Sequence, residues 1–286
     1  MSVAVGLRRM LGVRLRIARV LNGGGVRGGY EETLRLDGEL RGLYRGLVRD
    51  LKGRGKVGGD LGFGMYALDV IVNRYLASLH VPFLGESGSQ GMGMAEVYSR
   101  KAAVESALRI HAACSDWPGK LKGGEGSVFA RYTQCSSGFF PSAVFQADLI
   151  VAAELKSQLR EEASLGPVML RPDLVDLLED SKRFSLRCIE AGETNVKRYL
   201  FRCLVVAYIE GLRGGLEEGE LREVVVGEVE EAVGGCVPIL EGMVGGRDGG
   251  GDVGLVELTE DGTDDWHFLV CYTCLLFREK MHANIV

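Results

Sequence analysis

The sequence lacks both long apolar runs and an excess of positive charge. No apolar stretch approaches the roughly 18 residues that a membrane-spanning helix requires. The formal net charge is -5 at pH 7, whereas a phosphate-binding surface needs clustered lysine and arginine. We therefore expect a soluble globular protein that spans no membrane and binds no DNA by itself.

Closely spaced cysteines are also scarce. The seven cysteines are an odd number and are scattered along the chain. Because we identify no secretory signal, we expect reduced thiols and no disulfide framework. Only Cys271 and Cys274, with His267 four residues earlier, have a metal-like spacing, and no second pair completes a four-ligand zinc site. Their apolar neighbours favour an interpretation as buried core thiols.

The sequence motifs of common enzyme sites are missing as well. Gly53, Gly55 and Lys56 are not followed by the serine or threonine of a phosphate-binding loop. Neither a Gly-x-Ser-x-Gly elbow nor a His-Glu-x-x-His helix is present. His80 precedes Pro82, where a helix must stop, and this position favours local hydrogen bonding at a helix end over a binding role. An acid–base pair assembled from distant carboxylates remains an alternative.

Apolar residues recur at spacings of three and four throughout the chain, which predicts α-helices. The predicted helices cover residues 36–51, 68–79, 96–113, 142–159, 172–184, 196–204, 221–233 and 266–277. Few segments have the composition or the alternating pattern of a β-strand. The valines of 221–233 favour a strand, but intervening glutamates break the alternation. The sequence therefore predicts an all-α, multi-helix domain of packed antiparallel helices.

Charge is distributed unevenly at two places. The first thirty residues contain six arginines and no acid, and Leu7, Met10, Leu11 and Leu15 lie on one side of a helix. That pattern is similar to a mitochondrial presequence, but transit peptides are rich in serine and Ser2 is alone here. We favour an ordinary amphipathic helix with a solvated basic face. Residues 217–231 hold seven glutamates, which form either a partner surface or a solvated helix face.

Five short stretches resemble, in their order and spacing, the fungal-specific transcription factor domain, or middle homology region. They are residues 30–36 (YEETLRL), 74–83 (RYLASLHVPF), 98–101 (YSRK), 138–155 with its segments GFF, FQA and EL, and 191–200 (AGETNVKRYL). The motif positions are Leu79, His80, Pro82, Phe83, Tyr98, Ser99, Arg100, Gly192, Glu193, Thr194 and Asn195. Val81 stands where the family usually has arginine. We interpret these positions as structural.

The resemblance implies an all-helical regulatory region of a nuclear regulator of RNA polymerase II transcription. Such a region acts through the transcription machinery, through regulatory proteins or through a small effector, and it has no catalytic, cofactor-binding or metal-binding residues. The family's separate DNA-binding module holds two zinc ions on six closely grouped cysteines. This chain has no such group of cysteines. We therefore expect bound zinc only if a six-cysteine cluster precedes the residues of this sequence. The chain is then either truncated or a stand-alone module.

The expected organisation has three parts. Residues 1–244 form the regulatory domain, 245–262 a flexible loop rich in glycine and aspartate, and 263–286 a C-terminal helix. Glycine tracts at 23–25, 58–59 and 249–251 mark further loops. Two alternatives to a transcriptional role stay open, namely a helical, hydrolase-like enzyme and a mitochondrial helical protein.

Overall fold

The protein is all-α, as the sequence predicts. The structure, a computed structural model, describes residues 2–22, 29–53, 59–84, 93–115, 128–135, 138–162 and 170–245. Within these ranges there are ten α-helices, one short 3-10 helix and no strand. The α-helices are α1 (Val3–Arg9), α2 (Leu11–Asn22), α3 (Tyr30–Lys52), α4 (Gly59–His80), α5 (Met94–Cys114), α6 (Val128–Cys135), α7 (Phe139–Glu162), α8 (Pro172–Glu190), α9 (Lys197–Arg213) and α10 (Glu218–Gly245).

Each helix predicted before residue 245 is present, and most are longer than expected. α10 contains the whole of the predicted segment 221–233, so the valine-rich sequence there is helical. Pro172 occupies the first turn of α8, and Leu174, Leu177 and Phe184 are buried as expected. Helix α6 was not predicted. The predicted C-terminal helix and most of the Gly/Asp-rich loop lie outside the described residues.

The chain divides into two compact units, Met1–Ile150 and Val151–Val286. In the first unit, leucines of α3 and α4 form one core with residues of α1 and α2. The buried members are Met10, Val13, Ile17, Leu36, Leu40, Leu47, Leu51, Leu68, Val72, Leu76 and Leu79. Gly6 allows α1 to approach α3, because a Cβ at this position would lie 2.2 Å from the Cδ2 atom of Leu47. A side chain at this position would therefore require the Leu47 side chain or α1 to shift.

The N-terminal segment differs from its predicted orientation. It forms two helices, and the side facing the core holds Met10, Val13 and Ile17. Leu11 and Leu15, expected on the apolar side, are 45% and 48% exposed. The prediction was therefore partly wrong. Met10 is buried in the core and Leu7 packs against it as expected, whereas Leu11 and Leu15 do not follow the spacing of three and four from Met10 that the buried residues have.

Aromatic rings from α4, α6 and α7 form a second cluster in the first unit. Phe129 of α6 lies at its centre, with ring centroids 5.0 Å from Phe63 and 5.2 Å from Phe140. Gly138, which precedes α7, has φ +94°, a left-handed conformation that glycine adopts without strain. This cluster explains why the short helix α6, whose apolar residues are too few for a clear periodicity, is folded.

In the second unit α8, α9 and α10 pack against one another. Lys182 of α8 forms an ion pair with Glu228 of α10. Nζ of Lys156, near the end of α7, lies over the ring of Tyr208 of α9, 5.8 Å from the ring centroid. The predicted 1–244 domain remains a prediction.

In the part of the chain that the structure describes, no single helix has the length and apolar character needed to cross a bilayer. Within the same residues, α6 and Phe139–Leu159 of α7 meet these criteria only as a pair bent by 94°.

Candidate functional site

An aspartate lies on the buried side of α3. Thr33, Leu36, Asp37 and Leu40 follow the three/four spacing of one helix face, and all four are at most 3% exposed. Removing a carboxylate from water is strongly unfavourable unless hydrogen bonds compensate for the loss. The side chains around Asp37 supply these bonds.

His80, the last residue of α4, connects Asp37 to α5. Its Nε2 lies 3.1 Å from Oδ1 of Asp37, and its Nδ1 lies 3.1 Å from Oγ of Ser99. Because a carboxylate only accepts hydrogen bonds, Nε2 is the donor to Asp37. Both His80 and Ser99 are completely buried. Three helices are therefore joined by one chain of hydrogen bonds.

The second oxygen of Asp37 is also bonded. Tyr98 donates its hydroxyl to Oδ2 over 3.0 Å, and Nε of Arg41 donates to Oδ1 over 2.8 Å. Burial acts to raise the pKa of Asp37, but hydrogen bonds from His80 and Arg41 and their charges outweigh it and hold the pKa below its usual range. Asp37 is therefore a stabilised carboxylate.

The network ends at Tyr30 in the first turn of α3. Ser99 donates to the hydroxyl of Tyr30 over 3.4 Å, and the Tyr30 ring meets Phe83 edge-on, with centroids 5.1 Å apart. We name this network the Asp37 hub. Its members are Tyr30, Asp37, Arg41, His80, Tyr98 and Ser99.

The hub brings together three stretches that are separate in the sequence, 30–36, 74–83 and 98–101. Leu79 is buried in the leucine core beside it, Pro82 is exposed within the 3-10 helix Val81–Phe83, and Arg100 is half-buried on α5. The interpretation of His80 was partly wrong. The side chain makes hydrogen bonds, but its partners belong to α3 and α5 rather than to its own helix end. The reason is that helix packing brings Asp37 to His80, which local spacing does not reveal.

An aspartate, a histidine and a serine in a row are also the groups of a hydrolytic triad. Here the histidine ring presents Nδ1 to the serine and Nε2 to the aspartate. The serine hydroxyl is fully buried and bonded to Tyr30, so a substrate carbonyl cannot reach it without opening of the helices. As folded, the row joins α3, α4 and α5 through buried hydrogen bonds.

Two more hydrogen bonds join helices of the same unit. Nε2 of His111 in α5 lies 2.5 Å from Oδ1 of Asp148 in α7, and both side chains are at most 3% exposed. Nε2 of Gln146 donates to the hydroxyl of Ser78 over 2.7 Å. Gln146 belongs to the stretch 138–155 and Ser78 to the stretch 74–83. The fourth stretch is thereby tied to the second.

The stretch 191–200 forms the turn between α8 and α9 in the second unit, apart from the hub. Gly192 has φ +110°, and its N–H donates to the carbonyl of Ile189 while Glu193 N–H donates to the carbonyl of Cys188. This is the Schellman pattern that ends helices at a glycine. Of the two predicted capping residues, Thr194 and Asn195, it is Asn195 whose Oδ1 accepts the Lys197 N–H, over 3.2 Å.

The sequence interpretation missed three members of these networks, Asp37, Arg41 and Asp148. A usable signal existed for two of them. Asp37 and Asp148 are acids within otherwise apolar helix faces, and such a residue must find a buried partner. No spacing rule identifies the partner, because His80 is 43 residues from Asp37 and Asp148 is 37 residues from His111.

The acidic segment of α10 is divided between two roles. Glu228 pairs with Lys182, so it belongs to the packing of α10 on α8. The remaining glutamates of residues 217–231 are exposed.

In the described ranges no three His, Cys, Asp or Glu side chains are grouped so that they could hold a metal ion. The metal-like Cys271, Cys274 and His267 lie outside those ranges.

Comparison with known proteins gives one distant relative. The chain is 24% identical over 268 residues to a protein of Penicillium oxalicum named Transcription factor opdR. The match covers 84% of this chain but only 32% of that protein, so the chain spans about a third of its length. No family model matches the chain. No solved structure matches it either.

Proposed function

We propose that this chain is a regulatory region of a fungal zinc-cluster-type RNA polymerase II transcription factor and that it acts in the nucleus. The observation that carries the proposal is the similarity over 84% of the chain to a protein named as a transcription factor. The all-α architecture and the ordered resemblance of five stretches to the fungal regulatory domain support it.

In this proposal the Asp37 hub is a framework and not a site of chemistry. The hub fixes α3, α4 and α5 through bonds to one buried carboxylate, and its central atoms are closed to solvent. A rigid framework of this kind holds surface residues in place for a partner. The output therefore comes from contacts of the surface with transcription machinery, with regulatory proteins or with a small effector.

Direct DNA binding by this chain alone is not part of the proposed role. The net charge of -5 opposes binding to phosphates. Two N-terminal arginines are also engaged within the protein, since Arg16 pairs with Glu39 and Arg14 donates to the carbonyl of Leu7 over 2.9 Å. A separate module would hold the promoter.

The proposal is tested by tethering residues 1–286 to an unrelated DNA-binding domain in a fungal cell. We expect transcription of a reporter with matching upstream sites to rise or fall relative to the DNA-binding domain alone. Immunoblotting and imaging establish that the fusion is expressed and nuclear. An expressed, nuclear fusion that leaves the reporter unchanged contradicts the proposal.

The row of Asp37, His80 and Ser99 favours one second candidate, a hydrolase. A serine hydrolase would be labelled at Ser99 by a fluorophosphonate probe, and the label would be absent from the Ser99→Ala variant. We expect no labelling of the folded protein, because the hydroxyl is buried. Labelling that depends on Ser99 and on native folding would favour the enzyme.

A further inference from the structure

The outward face of α2 carries leucines where a solvent-facing helix normally carries polar residues. Leu11 and Leu15 are 45% and 48% exposed, while Val13 and Ile17 on the opposite side are buried. Arg8 and Arg19 flank the leucines and are exposed. Helical spacing continues from α1 into α2, because Met10 N–H bonds to the Gly6 carbonyl and Arg14 N–H bonds to the Met10 carbonyl.

We name this surface the basic face, and its members are Arg8, Leu11, Leu15 and Arg19. Their separations of three, four and four residues keep them on one side of the helix. Neither Arg8 nor Arg19 has an ion-pair partner among the described residues. The face thus presents exposed apolar side chains between two uncompensated positive charges, a combination typical of an interaction surface.

α10 carries a surface of the opposite charge. Val226, Val233 and Val237 are 47%, 42% and 43% exposed, while Ala232 and Cys236 face the core. We name the outward surface the acidic face, and its members are Glu223, Val226, Glu230, Val233 and Val237. Separations of three, four, three and four residues place them in one stripe.

The acidic face is open and its charges are uncompensated. Glu223 and Glu230 are exposed and have no ion-pair partner among the described residues. Next to the stripe, a Cβ added at Gly227 or Gly234 would meet no atom within 4 Å. A second helix can therefore approach this side of α10 closely.

The two faces match in charge and in spacing. One offers two arginines around two leucines, and the other offers two glutamates among three valines. Helices whose side chains recur at three and four residues pack along each other. Burial of the apolar residues would stabilise the contact, and the opposite charges would set its register.

We propose that the acidic face of α10 in one copy of this protein docks on the basic face of α1 and α2 in a second copy. The second copy is the favoured occupant because its α10 carries exposed glutamates and valines at the helical spacing that matches the exposed arginines and leucines of the basic face. This proposal does not rest on the transcriptional role. Because two different surfaces meet, the association is heterologous and continues beyond two chains unless the arrangement closes.

The test is to measure the mass of the purified full chain by sedimentation velocity and light scattering over a range of concentrations. We expect the wild-type mass to rise above that of one chain as concentration increases. Arg8→Glu with Arg19→Glu makes both faces acidic, and Glu223→Arg with Glu230→Arg makes both faces basic. Each double variant alone should associate roughly tenfold or more weakly than the wild type.

Mixing the two double variants provides the decisive measurement. In an equimolar mixture each acidic surface meets a basic one, so we expect association to return although each variant alone associates weakly. Circular dichroism establishes that both variants are folded. A mixture that stays monomeric overturns the proposal, and so does a wild-type chain that is monomeric at every concentration.

Matched charge reversals elsewhere on the surface serve as controls. Arg49→Glu with Arg131→Glu, and Glu190→Lys with Glu210→Lys, change the net charge by the same amounts at exposed positions outside both faces. We expect these variants to associate like the wild type. If they lose association equally, net charge rather than the two faces is responsible, and the proposal is wrong. Salt of about 1 M, which shortens the Debye length to about 3 Å, should weaken wild-type association.

Discussion

Asp37 and His80 are 43 residues apart in the chain, and Oδ1 of Asp37 lies 3.1 Å from Nε2 of His80 in a fully buried contact. This contact fixes the N-terminal half of α3 against the C-terminal end of α4. Ser99 and Tyr98 extend it to α5. The motif residues of three separate stretches thus have one shared structural role.

Replacing Asp37 with asparagine should destabilise the protein by about 3 kcal/mol at neutral pH, because His80 and Arg41 lose their buried anion. The expected pH dependence follows from the lowered pKa of Asp37. A carboxylate with a lowered pKa contributes stability above its unfolded pKa of about 3.8 and loses it as the pH falls through the folded value. The difference between wild type and variant should therefore shrink as the pH falls below about 4.

Urea unfolding followed by circular dichroism at several pH values measures this difference. Asp50→Asn is the matched control. Asp50 is on the same helix, but it is exposed, and its Oδ2 forms only a surface ion pair with Nη1 of Arg9 at 3.9 Å. Its effect should stay below about 1 kcal/mol. Equal midpoints for Asp37→Asn and wild type would contradict the role of the hub.

Tyr98→Phe removes one hydrogen bond to Asp37 and leaves the ring in place. We expect a loss of about 1 kcal/mol in the free energy of unfolding. Tyr132→Phe, on the exposed side of α6, is the control and should change the unfolding midpoint little. If both substitutions behave alike, the Tyr98 hydroxyl does not support Asp37.

Gly192→Val should destabilise the turn between α8 and α9. Gly192 has φ +110°, a conformation in which a β-branched residue is strained by about 1 kcal/mol or more. Gly227→Ala, within α10 and with open space around the added methyl, should instead stabilise by about 0.5–1 kcal/mol. Thermal melting should therefore show a lower melting temperature for Gly192→Val and a higher one for Gly227→Ala. An unchanged melting temperature for Gly192→Val would contradict the positive φ at this turn.

The cysteines should differ sharply in reactivity. Among the described residues Cys135 is exposed, whereas Cys114 on α5 and Cys188, Cys203 and Cys236 on α8, α9 and α10 are buried. Burial raises the pKa of Cys188 to about 11, so its reactive thiolate is scarce at neutral pH. This burial contributes its full stability below the unfolded pKa of about 9.0, and the contribution should be lost as the pH rises from there to about 11.

Alkylation with mass-spectrometric peptide mapping, in a background where Cys271 and Cys274 are replaced by serine, tests this order. We expect Cys135 to be modified first and the four buried thiols only on unfolding. Rapid modification of Cys188 in the folded protein would show that α8 and α9 separate readily.

The sequence by itself determined the helical class and most helix positions, because a buried helix face requires apolar residues at spacings of three and four. It also determined the turn at Gly192, since a positive φ selects glycine locally. Helix α6 escaped prediction because its eight residues are too short for a periodic signal and are held by rings of α4 and α7.

Only the tertiary structure decided which polar residues are partners. The sequence indicates that Asp37 and Asp148 interrupt apolar faces, but His80 and His111 reach them only after α3, α4, α5 and α7 have packed. The orientation of α2 was decided in the same way. Both of its possible faces contain apolar residues, and packing against α3 and α4 buries Val13 and Ile17 and leaves Leu11 and Leu15 exposed. Hydrophobic spacing is a local property of the chain, whereas the pairing of charges and the choice between two apolar faces depend on contacts between segments that are distant in sequence.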